Sequence, residues 1–356
     1  MRSRGLRVVL AAVLVTGTAA WSGDATPATG AGQAQELAAA TPVAATAVSA
    51  AQRRKRRFEC HGVKHRDVLG PEPTYTRKKL VKHRNHKRVC RASWIPNPRQ
   101  KLVPQGLAVH TQTAWMSGYL YRPSTGKRPC RLMRIGMRSG RLIDYRAVEG
   151  RVGKRGATFC RHGGGILQRG RWLWITEKNK LWLVDWRSTR GKVIQARRVW
   201  RLERPVRGST IVGKGRRLGL VPFAKRGPAH IDWFTTRQLF RKGVLELGGR
   251  RDGRKQAGAL ARTRIPSHVQ GATIGPNGRL YLSRSNLTCG ELVTPWRRIA
   301  IVPGAEGIDF DGRRLWVASE SGAKPYAAGT RKPLTAGITS FEWPGLNRAR
   351  RSTCTF

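Results

Sequence analysis

Carboxylates are scarce in this sequence. Only 19 Asp and Glu stand against 70 Lys and Arg in 356 residues, a formal charge of +51 that excludes an acidic disordered chain. No apolar run reaches the roughly 18 residues that a mature membrane-spanning helix needs, which argues against an integral membrane protein. Glycine, at 41 residues, falls far short of the roughly one third that a collagen-like fibre requires. Outside the first twenty residues no stretch longer than a turn carries helical periodicity, so an all-β chain is expected. What is present, 39% hydrophobic residues and 12 Trp, is enough for a core.

Residues 1–20 read as an export signal. Arg2, Arg4 and Arg7 make a positive start, Val8 to Val15 a short apolar stretch, and Thr18, Ala19 and Ala20 a small-residue cleavage site. No Cys lies near that site, which excludes a lipoprotein anchor. Residues 21–52 are dominated by Ala, Thr, Gly, Pro, Ser and Val and are expected to act as a flexible spacer. Residues 53–101 form a basic segment containing Cys and His. It opens with Arg53, Arg54, Lys55, Arg56 and Arg57, a run whose like charges keep it solvated and available to a polyanion. The body is expected in 102–356, and the expected location is extracellular, with cell-wall association.

Six cysteines remain after export: Cys60, Cys90, Cys130, Cys160, Cys289 and Cys354. An even count in an oxidising compartment reads as three disulfides, and the sequence-local pairing Cys60–Cys90, Cys130–Cys160 and Cys289–Cys354 is expected. A competing zinc reading sets Cys60, His61 and His65 against His83, His86 and Cys90. Its loose spacing and its Lys- and Arg-rich surroundings count against it, and no metal or other cofactor is expected.

Repetition organises the body. Five segments begin Gln105-Gly106-Leu107, Gly164-Gly165-Ile166, Ser209-Thr210-Ile211, Gln270-Gly271-Ala272 and Glu306-Gly307-Ile308. Each reaches a second apolar strand, from Gly106 to Trp115, Gly165 to Trp174, Thr210 to Gly219 and Gly307 to Trp316 at the same offset of nine, with the fourth segment one residue longer. The starts lie 59, 45, 61 and 36 residues apart, room for about four short strands each. Four-stranded units at this spacing are the blades of a β-propeller. Five blades are expected, with residues near Val89 to Trp94 supplying the missing fourth strand of the last; six is the alternative.

The phrases Glu306-Gly307-Ile308-Asp309-Phe310-Asp311-Gly312-Arg313-Arg314-Leu315-Trp316-Val317 and Gly275-Pro276-Asn277-Gly278-Arg279-Leu280-Tyr281-Leu282 resemble blades of the NHL and SMP-30/gluconolactonase-like propellers. The resemblance covers Leu102 to Trp343 and implies the architecture; function does not follow from fold. A lactonase-like site would place Glu, Asn and Asp around one metal. Here only Glu306 matches, with Ser209 and Gln270 where Asn and Asp would stand.

Aligning the five starts puts Gln105, Gly164, Ser209, Gln270 and Glu306 around the central channel, with His162 and His268 nearby. The ligand-binding candidates are therefore Gln105, His162, Ser209, Gln270 and Glu306, a polar ring with one carboxylate. That is too few for calcium, which takes six to eight oxygens, or for glycosidase chemistry, which uses two acids. No Gly-x-Ser-x-Gly elbow is present. If the channel were catalytic, His162, Ser209 and Glu306 would be the candidates, in a lactonase- or esterase-like hydrolase. Asp309-Phe310-Asp311-Gly312 reads as a strand-to-strand turn rather than a calcium loop, and the glycines of His162-Gly163-Gly164-Gly165 read as close packing at a crowded axis.

Charge is the remaining clue. A surface this basic attracts polyanions, and outside a cell anionic wall polymer ranks first and nucleic acid second, since no RNP, zinc-finger or helix-turn-helix pattern is present. The sequence thus reads as an exported propeller that binds or scaffolds at the cell surface, leaning away from an enzyme, with the channel hydrolase as the alternative.

Overall fold

The constant offset of nine has a local cause. In the first, second, third and fifth repeats the two inner strands are joined by two-residue turns, seen in the pairs His110↔Thr113, Arg169↔Trp172, Lys214↔Arg217 and Asp311↔Arg314. The first turn residue has positive φ in each: Thr111, Gly170, Gly215 and Gly312. A glycine meets that demand without strain. The fourth hairpin pairs Ile274 with Leu280 around a longer loop, and its offset is longer accordingly.

The computed structural model describes residues 60–75, 79–96, 101–121, 128–188, 191–249, 252–327 and 335–356. Five sheets follow one another along the chain. The last of them begins with a borrowed strand, β1 (Val89–Ser93). The first contains β2 (Leu102–His110), β3 (Thr113–Leu120), β4 (Cys130–Gly136) and β5 (Leu142–Arg151), with β6 (Ala157–Phe159) paired onto β5. The second contains β7 (Gly165–Arg169), β8 (Trp172–Glu177) and β9 (Lys180–Asp185); β10 (Val193–Gln195) leaves to pair in parallel with β5 before β11 (Arg198–Leu202) returns. The third holds β12 (Thr210–Lys214), β13 (Arg217–Val221) and β14 (Ala229–Thr235). From there the chain crosses back to extend the second sheet with β15 (Glu246–Gly248) and β16 (Gln256–Gly258), then completes the third with β17 (Ala261–Ile265). The fourth is β18 (Val269–Ile274), β19 (Leu280–Asn286), β20 (Cys289–Val293) and β21 (Arg298–Ile301). The fifth is β22 (Ala305–Asp311), β23 (Arg314–Ser319) and β24 (Ile338–Glu342), closed by β1 on β24.

The inner strands pack in a closed cycle: β2 on β7, β7 on β12, β12 on β18, β18 on β22, and β22 back on β2. The apolar residues correspondingly form five cores. Trp115 and Trp182 belong to the core between sheets one and two, and Trp174, Trp200 and Phe234 to that between two and three. Val212 and Leu282 lie between three and four, Tyr281 and Phe341 between four and five, and Met116 and Trp316 between five and one. The fold is a β-propeller. Side chains of the inner strands pack between neighbouring sheets, and Trp115, Trp182 and Trp200 are fully buried there.

Two features depart from the expectation of about four strands per repeat. The first and second sheets have six strands each: β6 and the crossing β10 add to the first, and the crossing pair β15–β16 adds to the second. The crossing residues bury Leu239, Leu247 and Ala257 against Trp200, whose Nε1 donates to Leu239 O at 3.2 Å.

Closure joins the two ends of the described chain. β1 runs antiparallel to β24 from Val89↔Phe341 to Ser93↔Ile338, as the sequence predicts for Val89 to Trp94. Buried Asn85 donates to Ala300 O and Arg350 O and accepts from Arg350 N, all at 2.9 Å, clamping the segment before β1 to the fourth sheet and the C-terminal tail. The three disulfides are Cys60–Cys90, Cys130–Cys160 and Cys289–Cys354. The first of these occupies both thiols of the zinc reading. His83 packs edge-on to Phe341, and burial pushes it down to about 3. The export signal, the spacer and Arg53 to Arg57 lie outside the described residues. Among the described residues no helix is long and apolar enough to cross a membrane.

Candidate functional site

Because the hairpin loops sit at one end of each inner strand pair, the start of the first strand and the exit of the second meet at the other. A cavity of about 830 Å³ lies there. Its lining includes all five aligned starts, Gln105, Gly164, Ser209, Gln270 and Glu306, together with His162. His268 does not line it; that ring packs against Phe223 and Phe356.

A second ring of residues lines the same cavity, and sequence reasoning missed it. Tyr119, Lys178, Phe223 and Glu320 stand four residues beyond Trp115, Trp174, Gly219 and Trp316, the aligned positions of the second strands. The antiparallel register explains this: Gly106 pairs with Ser117 and Gly165 with Thr176, so the residues that follow emerge beside the first-strand starts. The signal was available in the repeat, had the exits been aligned as well as the entries.

The second ring corrects the expectation of a single carboxylate. Glu320 and Glu177 also line the cavity. Glu177 is already engaged, accepting from Arg161 N at 2.9 Å and from Lys180 Nζ at 3.2 Å. Glu306 and Glu320 lie close enough to act on each other, and the charge of Glu320 adds to the rise of Glu306, so the two do not both ionise readily. Gln105 Nε2 donates to Glu320 Oε2 at 3.1 Å and to Pro104 O at 3.0 Å. Burial raises Glu320 to about 7, against the lowering pull of the Gln105 and Glu306 hydrogen bonds and of Arg128. Glu306, only 2% exposed, is raised well above the usual carboxylate range by burial and then by Glu320. Its Oε1 has no hydrogen-bond partner among the described residues.

Around this pair the wall is aromatic. Tyr119 and Tyr326 join hydroxyls at 2.8 Å, and His162 stacks on Tyr119 at 4.6 Å between ring centroids. Burial first, then Arg128 and Arg161, push His162 down to about 4, so it is neutral at pH 7. Ser209 Oγ accepts from Phe223 N at 3.0 Å. His162, Ser209 and Glu306 therefore share one cavity, but among the described residues no hydrogen bond joins Ser209 to His162, and the serine is occupied by backbone. Four cations line the cavity as well: Arg128, Lys178, Arg207 and Lys225. A metal set does not fit here. Burial holds Glu306 and Glu320 toward their protonated forms, Glu177 has its own donors, and no group of three metal-binding side chains occurs among the described residues.

No protein-family model matches the chain, and no curated protein matches it in sequence. Among solved structures it is similar to BamB from Moraxella catarrhalis, at 12% identity and TM-score 0.28, over 66% of this chain and 58% of that one. It is similar to regucalcin, a calcium-binding protein from Agrobacterium tumefaciens, at 14% identity and TM-score 0.38, over 67% and 90%. It is also similar to a luciferin-regenerating enzyme, at 10% identity and TM-score 0.36, over 70% and 94%. All three are β-propeller proteins. The chain thus spans less than two thirds of the length of BamB.

The segment Asp309-Phe310-Asp311-Gly312 is strand for its first three residues, and the turn itself is Gly312-Arg313. Asp309 accepts from Val109 N at 2.8 Å, Thr273 Oγ1 at 3.1 Å and Phe310 N at 2.9 Å, tying β22 to β2 and β18. Burial nevertheless raises it to about 6.

Proposed function

We propose that this protein is an exported five-bladed propeller that binds anionic polymer at the cell surface, with the channel mouth as its ligand site. Each of the five sheets contains one antiparallel set of four strands around the closed cycle, which supports counting five blades. Three disulfides accord with an oxidising location. The carrying observation is the set of cavity cations. Arg128, Lys178 and Lys225 are exposed, Arg207 is half-buried, and they come from the β3–β4, β8–β9, β13–β14 and β11–β12 connections. None of the four takes part in an ion pair among the described residues, whereas Arg146, Arg171, Arg262 and Arg284 are each joined to a carboxylate. Unneutralised cations converging on one opening form a focused positive field. In this reading Gln105, His162, Ser209, Gln270 and Glu306 contact what enters, wall polymer is the first partner, and nucleic acid the second.

A salt series tests the reading. Binding to purified anionic wall polymer is expected to weaken steeply with salt. Duplex DNA serves as a ruler, because each neutralised phosphate contributes about 0.9 to the slope of log affinity against log salt. Replacing Lys178 and Lys225 together by Gln is expected to reduce that slope by about 2. An unchanged slope would place polyanion contact on some other face. Hydrolysis is the second reading, favoured by one observation, the buried carboxyl pair Glu306–Glu320 in place of a serine triad. A screen of lactones and esters in which Glu306→Gln turns over as fast as wild type would remove it.

A further inference from the structure

We propose that the central cavity takes a zwitterionic ligand, its ammonium group on the Glu306–Glu320 carboxyl pair and its phosphate or carboxylate on Arg128, Lys178, Arg207 and Lys225. The anion half of this inference rests on the reading of the channel mouth given above; the ammonium half rests on the carboxyl pair alone.

The pair is anomalous in this chain. With 70 Lys and Arg available, several buried carboxylates elsewhere are joined to cations, Asp185 to Arg171, Asp232 to Arg262 at 2.8 Å and Glu291 to Arg284 at 2.8 Å, and buried Asp309 is held by three neutral donors. Glu306 and Glu320 instead face each other and belong to no ion pair among the described residues. Two buried like charges this close cannot both ionise without large cost. Arg128 is near enough to lower Glu320 by its charge, yet it forms no ion pair with either carboxyl among the described residues. The pair is left as a place where a proton, or a cation that replaces it, is held.

Glu306 Oε1 says that the place is open to a ligand. It belongs to a side chain that is 2% exposed and lines the cavity, and it lacks a partner among the described residues. Buried carboxylate oxygens are ordinarily hydrogen-bonded. An ammonium group brings three donors and a full positive charge, matching both the empty acceptor and the charge released when a proton of the pair leaves. The paired hydroxyls of Tyr119 and Tyr326 lie beside the same carboxyls and exert their fields with them.

The cations decide what kind of amine can enter. A bare metal ion or simple amine meets four positive side chains on the cavity wall. A molecule that also carries phosphate or carboxylate satisfies both ends, and a cavity of about 830 Å³ is ample for it.

Proton exchange follows from the same geometry. The charged and titratable groups facing the pair are Arg128, Tyr119, Tyr326 and His162, with Glu177, Lys178, Arg207 and Lys225 elsewhere on the wall. His162 stays neutral above about 4, and the tyrosines are raised from an already high value. An ammonium must displace a proton of the pair, so binding releases a proton and tightens as the pH rises toward and through about 7, the value of Glu320.

Calorimetric titration of the full chain tests this with four probes: phosphoethanolamine, β-alanine, ethanolamine and inorganic phosphate, at pH 6 and pH 8. At least one zwitterion is expected to bind tenfold or more tightly than ethanolamine and phosphate, more tightly at pH 8 than at pH 6, with proton release seen by comparing buffers of different ionisation heat. Phosphoethanolamine against β-alanine distinguishes a phosphate-bearing from a carboxylate-bearing ligand. Glu306→Gln is expected to lose tenfold or more for the zwitterion while phosphate affinity does not fall. Should that variant fail to fold, proton release by wild type and the same titration on Glu320→Gln decide the matter. Phosphate binding as tightly as the better zwitterion overturns the ammonium half and leaves the anion-binding mouth standing. Binding of ethanolamine alone, without phosphate or zwitterion preference, overturns the anion half. No binding of either zwitterion overturns the whole.

Discussion

Glu320→Gln is expected to gain roughly 2 kcal/mol of stability relative to wild type as the pH is raised from 5 to 7.5. The sign comes from burial. Glu320 is raised from 4.5 to about 7 in the folded chain, so the folded state holds its proton more firmly than the unfolded state does. Its contribution is therefore full below the unfolded value and is lost as the pH climbs through about 7, the reverse of a salt-bridged carboxylate. Gln cannot ionise, and its amide oxygen can still accept from Gln105 Nε2. The shift alone would give about 3 kcal/mol; partial exposure of Glu320 discounts it. The wild-type curve by itself understates the effect. His162 and His83, held neutral down to about 4 and about 3, contribute stability that grows as the pH rises toward 6.5. Asp309, raised to about 6, adds a loss of its own. Subtracting wild type from variant cancels those groups and leaves the pair. Removing Glu320 also relieves Glu306 of a like charge, which acts in the same direction. Urea unfolding of both proteins at pH 5, 6 and 7.5 measures the difference, and a difference that stays flat would mean that burial does not hold a proton on Glu320.

The parts of this molecule that were legible in the sequence are those governed by local rules. A two-residue turn fixes hairpin register, so Gly106-to-Trp115 and Gly307-to-Trp316 carry the same spacing and disclose the inner strands. Those strands in turn place Gln105, Gly164, Ser209, Gln270 and Glu306 together. Three-residue strands such as β10, β15 and β16 have no alternation to read, and their parallel pairing is settled by where a long connection finds apolar surface, beside Trp182 for Ile194 of β10 and beside Trp200 for β15 and β16. Glu320 was hidden differently. In Ser319-Glu320-Ser321-Gly322 it looks like an exposed turn acid, and only the register of β23 against β22 turns it toward Glu306. Arg128 reaches Tyr119, with its guanidinium 5.1 Å from the ring centroid, from a connection that no repeat predicts. Asp309 reads in the sequence as a turn residue and not as the strut it is, because its three donors come from three different strands.

Gly307→Ala is expected to destabilise the protein by roughly 3 kcal/mol or more, because the glycines of the repeat are spacers between blades rather than turn residues. A Cβ on Gly307 would meet the backbone of β2, within 2.6 Å of Gln105 O and 2.7 Å of Gly106 C. A Cβ on Gly106 would come within 2.6 Å of Ile166 N in β7, and one on Gly165 within 2.6 Å of Thr210 Cα in β12. On Gly271 it would strike the carbonyl of Glu306 in β22. Each inner strand thus leans on the next through a position that tolerates no side chain. The exception is Thr210, at the aligned position of β12, whose hydroxyl fills the space that Gly165 leaves. The obstructing atoms are main chain on both sides of the contact, so no rotamer change relieves them, and relief requires that the ring open. The same substitution at Gly156, where no atom lies within 4 Å of a Cβ, is expected to change stability by no more than about 0.5 kcal/mol. Denaturant midpoints of the two variants make the comparison. Equal midpoints would mean that the inner strands are not in backbone contact, and the carboxyl pair would then lose the rigid axis that holds Glu306 beside Glu320, since Glu306 is the residue that precedes Gly307.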